Sequence, residues 1–285
     1  GLIRNYDTDE IPNTISHRFP LFGMNAEYEW KQHHNFYAGW SQAYRPVIFK
    51  DIIPAATYEV ADKNLKDASG HNIEAGYRGA WGKLRWDASI FSLRYNHRLG
   101  TMARTDENGN LQIFKTNIGS SLTRGFELFC EYGFDLSEKI KASLFTSSAF
   151  FQGRYLTTFI RSGDQNVDIT GNKIEAVPDV ITRNGISFRS GKYSVSILYS
   201  YTSETFSDPL NTLQPSATGS VGVVPAYGVL DLNSSIKVSS QMLIRINLGN
   251  ILDKQYFTKR PTFYPGPGVW SSDGRSFNIT MGVKI

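Results

Sequence analysis

The strongest order in this sequence is an alternation of apolar and polar residues with a period of two. That is the signature of strands whose two faces meet different surroundings. At the C-terminus Phe277, Ile279, Met281, Val283 and Ile285 fall on one face, and Asn278, Thr280, Gly282 and Lys284 on the other. Met242, Ile244, Ile246 and Leu248 repeat the pattern against Leu243, Arg245, Asn247 and Gly249. Tyr193, Val195, Ile197, Tyr199 and Tyr201 oppose mainly Ser and Thr. Phe126, Leu128, Cys130, Tyr132 and Phe134 oppose Gly125, Glu127, Phe129, Glu131 and Gly133. The pattern predicts eleven strands, at 18–30, 35–46, 71–81, 83–97, 121–133, 139–154, 179–189, 192–205, 226–237, 241–250 and 274–285. No segment joins helical periodicity to capping signals over a useful length.

The connections alternate between short and long. The short ones are Lys31–His34, Gly82, Phe134–Glu138, Ser190–Gly191 and Val238–Ser240; the long ones are 47–70, 98–120, 155–178, 206–225 and 251–273. Short periplasmic turns and longer extracellular loops organise outer-membrane barrels, whereas compact soluble domains seldom carry long structureless loops. The polar face is rich in Ser, Thr, Asn, Gly and isolated charges, which suits the lining of a large lumen. The apolar face would meet lipid, and closure would satisfy the backbone. The expected fold class is therefore all-β, an antiparallel transmembrane β-barrel. With long loops outside the cell, the last strand ends at the periplasm, and counting back makes residues 1–17 begin outside. Eleven strands are half of the roughly 22 in plugged transporters. Residues 1–285 are thus expected to form the C-terminal portion of one barrel domain, with no plug domain among them. A passive outer-membrane porin and a soluble all-β binding protein remain as alternatives.

Composition adds limits. The chain has 5 Trp, 15 Tyr and 18 Phe, a surplus that aromatic girdles at two membrane interfaces would use, as would a dense soluble β core. Its single cysteine, Cys130, excludes an internal disulfide and a cysteine zinc cluster. No apolar run reaches the roughly 20 residues of a transmembrane helix. The net charge of +4 is spread along the sequence in pairs such as Lys259-Arg260, unlike the concentrated patch of nucleic-acid binders. No nucleic-acid partner is expected.

Several spaced motifs carry a resemblance. Asn247-Leu248-Gly249-Asn250-Ile251-Leu252-Asp253-Lys254-Gln255-Tyr256 precedes Tyr264-Pro265-Gly266-Pro267-Gly268, then Gly274-Arg275-Ser276-Phe277 and a terminal alternating strand. Gly39-Trp40-Ser41-Gln42-Ala43-Tyr44-Arg45-Pro46 and Gly125-Phe126-Glu127 lie further upstream. Together these resemble the barrel of TonB-dependent receptors, with motif positions at Asn247, Asn250, Asp253, Tyr256, Tyr264, Pro265, Gly266, Pro267, Gly268, Gly274, Arg275 and Phe277. Ile251-Leu252 stands where the family commonly has Leu-Phe, and Ile285 where it commonly ends in an aromatic. With Asp51-Ile52-Ile53-Pro54, the set is most similar to the iron(III) dicitrate branch. The resemblance implies active uptake of a ferric chelate, citrate or siderophore, energised through TonB. It also implies an outer-membrane location, contact with outer-membrane lipid, and delivery by the barrel-assembly machinery. Contact with the TonB complex would run through an N-terminal plug and TonB box not found in these residues.

Candidate chemistry is sparse. Arg45, Arg98, Arg104, Arg154 and Arg161 fall at or beyond the extracellular strand ends, where guanidinium groups suit the carboxylates of an anionic chelate. Arginines there also pair with anionic lipopolysaccharide or loop carboxylates. Asp164, Asn166, Asp168, Thr170 and Glu175 match positions of a calcium-loop template, but Ile169 replaces its turn glycine, so an oxygen-rich surface loop is expected. His33-His34 reads as a solvated turn, Cys130 as lipid-side packing, and Trp40, Trp81, Trp86 and Trp270 as girdle residues. No spacing supports a catalytic triad, phosphate loop or carboxylate pair, so no catalytic residue, metal or cofactor is expected.

Overall fold

The computed structural model describes residues 2–3, 13–14, 18–52, 58–106, 109–261 and 268–284. Ile53, Pro54, Tyr264, Pro265, Gly266, Pro267 and Ile285 lie outside the described residues. Eleven strands form the wall: β1 Gly23–Lys31, β2 His34–Arg45, β3 Ala68–Trp81, β4 Leu84–Thr105, β5 Leu111–Asp135 and β6 Lys141–Ser162. These are followed by β7 Val180–Ser190, β8 Tyr193–Thr202, β9 Tyr227–Lys237, β10 Met242–Gly249 and β11 Ser276–Val283. Each pairs antiparallel with its sequence neighbour, so the sheet is one continuous meander from β1 to β11. Each expected strand has its counterpart in this wall.

The turns at one end are tight because their residues adopt positive φ: 67° at His33, 59° at Gly82 and 52° at Gly191. Two-residue turns that open on a positive-φ residue, as at Gly82 and Gly191, match the twist of the flanking strands. The histidine pair is divided by this geometry. His33 sits in the turn, whereas His34 opens β2 with its Nδ1 2.6 Å from the Tyr77 hydroxyl.

At the other end the strands run longer than their alternation predicts. β4, β5 and β6 have 22, 25 and 22 residues. The segment expected as loop 98–120 is mostly a β4–β5 hairpin, and that expected as 155–178 begins as strand before returning along Gln165–Asp168. The cause is irregular register at Tyr95–Arg98, with His97 at φ 55°, and at Gly119–Ser121. A bulge shifts side-chain parity, so the pattern falls out of step on its two sides. At about 3.3 Å per residue, β5 measures roughly 80 Å. A membrane crossing takes only about 9–11 residues, so much of this hairpin projects beyond the bilayer.

Register resolves the two faces of the wall. Tyr132, Leu144, Ile186, Ile197, Leu232, Leu248 and Phe277 form one row across seven strands. The adjacent row on the opposite face is Gly133, Ser143, Ser187, Ser196, Asn233, Asn247 and Asn278. On the apolar face Leu144 is 50% exposed and Phe277 63%. So large an exposed apolar surface requires a non-aqueous neighbour. Trp81 and Trp86 lie at its turn end and Trp40 toward its opposite end, as girdle residues would. Trp270 is elsewhere, in the small Phe257–Lys259/Trp270–Ser271 hairpin. Cys130 shares the outward face with Trp86 and Thr146.

Candidate functional site

The inner face carries most of the charged side chains of the wall. Tyr37 donates to Asp87 at 2.7 Å and Arg78 lies 3.6 Å from the same carboxylate. Glu74, Glu127 and Arg183 join them around a wall depression of ≈ 600 Å³. Above it, at the loop end, a second cavity of ≈ 360 Å³ is lined by Arg45, Asp51, Tyr95, Arg98, Lys115 and Thr116 among others.

Local structure explains how these groups converge. Arg45 ends β2 on the inner parity, opposite Ala68. Its Nη2 donates to both Asp51 carboxylate oxygens at 3.2 and 3.1 Å. Asp51 lies in the helical turn Phe49–Ile52 and accepts the Ile48 amide at 3.0 Å, which helps to fix the carboxylate. Arg45 Nη1 is buried and has no hydrogen-bond partner among the described residues. The bulge beside His97 brings Arg98 between the rings of Tyr95 and Tyr155, 5.3 and 5.1 Å from their centroids. Arg98 donates to Ser121 Oγ at 3.0 Å and lies 3.9 Å from Glu175. Lys115 pairs with Glu59 at 3.0 Å.

A small apolar cluster braces the far wall of this mouth. Tyr155, Ile169 and Ile174 are buried, with Ile160, Val167 and Val177 against them. A Cβ on Gly153 would meet Ile174 and Val177 at 3.3 Å, so this segment lies over the inner face of β6. Tyr155 donates to Glu175; its burial first, and then that bond, push its phenol well above the usual tyrosine range.

The five arginines therefore divide. Arg45 and Arg98 meet at the cavity. Arg104 sits near the tip of the hairpin, bonded to Gln112 at 3.3 Å and 4.3 Å over Phe114. Arg161 lies opposite Asn166. Arg154 shares the outward face of the wall with Leu122. Lys115, which helps to complete the cavity, was not singled out by spacing; the pairing of Glu59–Ala61 beside β5 sets it there only in three dimensions, while Asp51 is placed by its bonds to Arg45. The oxygen-rich segment spends its groups internally: Asn166 bonds Ala103, Asp168 the Thr170 amide, and Glu175 the Tyr155 hydroxyl.

The C-terminal motif residues hold the exit of β10 against the start of β11. Asn250 adopts φ 49° and its amide closes a ring on Lys254, accepting its N–H at 2.9 Å and donating to its carbonyl at 3.0 Å. Asp253, at φ 51°, accepts the Arg275 amide at 2.9 Å. A Cβ on Gly274 would stand 2.8 Å from that carboxylate. Tyr256 stacks on Tyr227 at 4.4 Å, Asn247 faces inward and Phe277 outward.

An antiparallel meander with an apolar exposed face, a polar inner face, tight turns at one end and braced projections at the other defines the wall of a transmembrane β-barrel. The profile described as "TonB dependent receptor-like, beta-barrel" matches residues 4–251, and the chain belongs to that family. Among solved structures, the ferric citrate transporter FecA in its unliganded form is similar with a TM-score of 0.73 and 19% identity, over 93% of this chain and 38% of that one. The siderophore receptor PiuA from Acinetobacter baumannii gives 0.68 and 17%, over 92% and 35%. The ferric yersiniabactin uptake receptor FyuA from Yersinia pestis gives 0.67 and 17%, over 92% and 37%. The chain thus spans little more than a third of these receptors. These solved structures are of a transporter and two receptors.

Proposed function

We propose that this chain forms part of the wall and mouth of an outer-membrane uptake receptor for an anionic ferric chelate, of the citrate type, energised through TonB in the complete receptor. The observation that carries the reading is the mouth cavity, where Arg45, Arg98 and Lys115 gather and Arg45 Nη1 lacks an acceptor among the described residues. A planar guanidinium with free donors fits a chelate that presents carboxylates. FecA is a ferric citrate transporter and FyuA a ferric yersiniabactin uptake receptor, so the cationic mouth, and not likeness of fold, favours citrate-type ligands here. Lipid, the barrel-assembly machinery and the TonB complex are its further partners on this reading.

The test is a fluorescence titration of the complete receptor with ferric citrate and with a ferric catecholate. Arg45→Met and Arg98→Met are each expected to weaken ferric citrate binding by roughly ten- to a hundredfold, the scale of a hydrogen bond to a charged group. No saturable binding of ferric citrate, or affinity unchanged in both variants, defeats the reading.

A further inference from the structure

The outward face of the wall is almost free of charge, and its few charges are confined to one place. From β2 to β11, within the regular register that ends at Tyr95 and Ser121, the outward positions hold no Asp or Glu among the described residues. Arg94, Arg124 and Arg154 are the only Lys or Arg there, and they stand on three adjacent strands, β4, β5 and β6. Arg94 and Arg154 both register with Leu122, so they share a row two strands apart, about 10 Å. Arg124 lies two residues nearer the apolar band, about 7 Å along the strand. The three form a triangle that long side chains can close onto one group.

The next row below the triangle is Ile90, Phe126 and Phe150, exposed by 62%, 38% and 44%. The arginines therefore sit at the border of the hydrocarbon, on the end away from the tight turns. Their protein partners are neutral. Arg94 Nε donates to Asn96 Oδ1 at 2.9 Å and Arg154 Nη1 to the Gly171 carbonyl at 3.3 Å. Among the described residues none of the three forms an ion pair. Three like charges gathered at a low-dielectric border, with no carboxylate at the described outward strand positions, call for an external anion. Guanidinium groups bind phosphate bidentately, and the adjoining apolar row offers a seat for acyl chains. A ligand carrying both parts fits this surface better than a free ion does.

We propose that Arg94, Arg124 and Arg154 bind the phosphate of an anionic lipid in the outer leaflet, whose acyl chains lie on Ile90, Phe126 and Phe150. The proposal rests on the membrane-spanning reading of the wall and is independent of the ligand at the mouth. The experiment uses the complete receptor in detergent, titrated with phosphatidylglycerol or phosphatidylcholine of matched chains, with bound lipid counted by native mass spectrometry. The wild type is expected to retain phosphatidylglycerol preferentially. Each Arg→Gln change is expected to weaken that binding about fivefold, and the triple change on the order of a hundredfold, from the typical contribution of a basic residue at an anionic surface. Undiminished phosphatidylglycerol retention in the triple variant overturns the proposal, as does displacement of the lipid by millimolar inorganic phosphate. The single variant R124Q, checked for heat-dependent gel mobility, serves if the triple variant does not fold. Failure of the wild type to insert into phosphatidylcholine vesicles would instead refute the membrane reading itself.

Discussion

Replacement of Asn250 by alanine should loosen the junction between the last two strands, by an amount that the geometry sets. Asn250 is only 5% exposed and holds φ 49°. Its side chain makes two hydrogen bonds to the Lys254 backbone, at 2.9 and 3.0 Å. Losing them costs about 1 kcal/mol each. Placing a Cβ without a polar side chain at left-handed φ adds about 1 kcal/mol. Asn250→Ala should therefore cost roughly 3 kcal/mol, and Asn250→Gly, which relieves the backbone, roughly 2 kcal/mol. The assay is amide hydrogen exchange of the complete receptor in detergent. The reporters are the Ile251 amide, bonded to Leu230 at 2.8 Å, and the Arg275 amide, bonded to Asp253 at 2.9 Å; neither bond is removed by the substitution. Exchange should accelerate about 150-fold for alanine and about 30-fold for glycine, at a factor of ten per 1.4 kcal/mol. Equal effects of alanine and glycine would refute the backbone part. Unchanged exchange at both reporters would show that the Asn250 ring does not hold the junction.

Other outcomes follow from the same geometry. Gly119→Ala should expose the β4–β5 hairpin to protease, at a cost of roughly 2 kcal/mol or more, because its Cβ would stand 2.2 Å from the Thr157 carbonyl and φ is 143°. Gly82→Asn, in open space at φ 59°, should leave the same digest unchanged. Leu128→Arg, on the lipid face between the Trp81 row and the Arg94 row, should lower folding yield by about 2–4 kcal/mol. Phe129→Arg, one residue away on the inner face, should not; equal yields would contradict the facing. The Tyr155 phenol is raised in the folded protein, so its contribution is complete below the ordinary value of 10.0 and fades as pH climbs toward the raised one. Proteolysis of the segment around 169–177 should therefore increase above that ordinary value in the wild type, and Tyr155→Phe should flatten this pH dependence.

The wall could be read from the sequence because each strand meets two unlike media, and alternation records that difference residue by residue. Tyr132 against Gly133, or Phe277 against Asn278, is enough to assign a face. The signal fails where both faces meet water and where a bulge inverts parity, as at His97 and Gly119, so the projecting hairpin was expected as loop. The mouth cavity was half visible. Arg45 and Arg98 stand at strand ends in the sequence, but Lys115 reaches the cavity from a distant segment, held by Glu59. Arg154 carried its own signal: it lies four residues from Phe150 on the same parity, which already assigns it to the outward face.

The distribution of charge between the two faces also bears on how the wall is assembled. Glu74, Asp87, Glu127, Glu131 and Asp231 all occupy the inner parity. If a strand paired one residue out of step, every side chain along it would exchange faces. In β5 that error would push two carboxylates into hydrocarbon and turn Phe126, Leu128 and Tyr132 toward water. The misaligned hairpin is thus penalised at several positions at once, before closure is complete. The alternation that describes the finished wall is also its proofreading device, rejecting wrong pairings by the membrane itself.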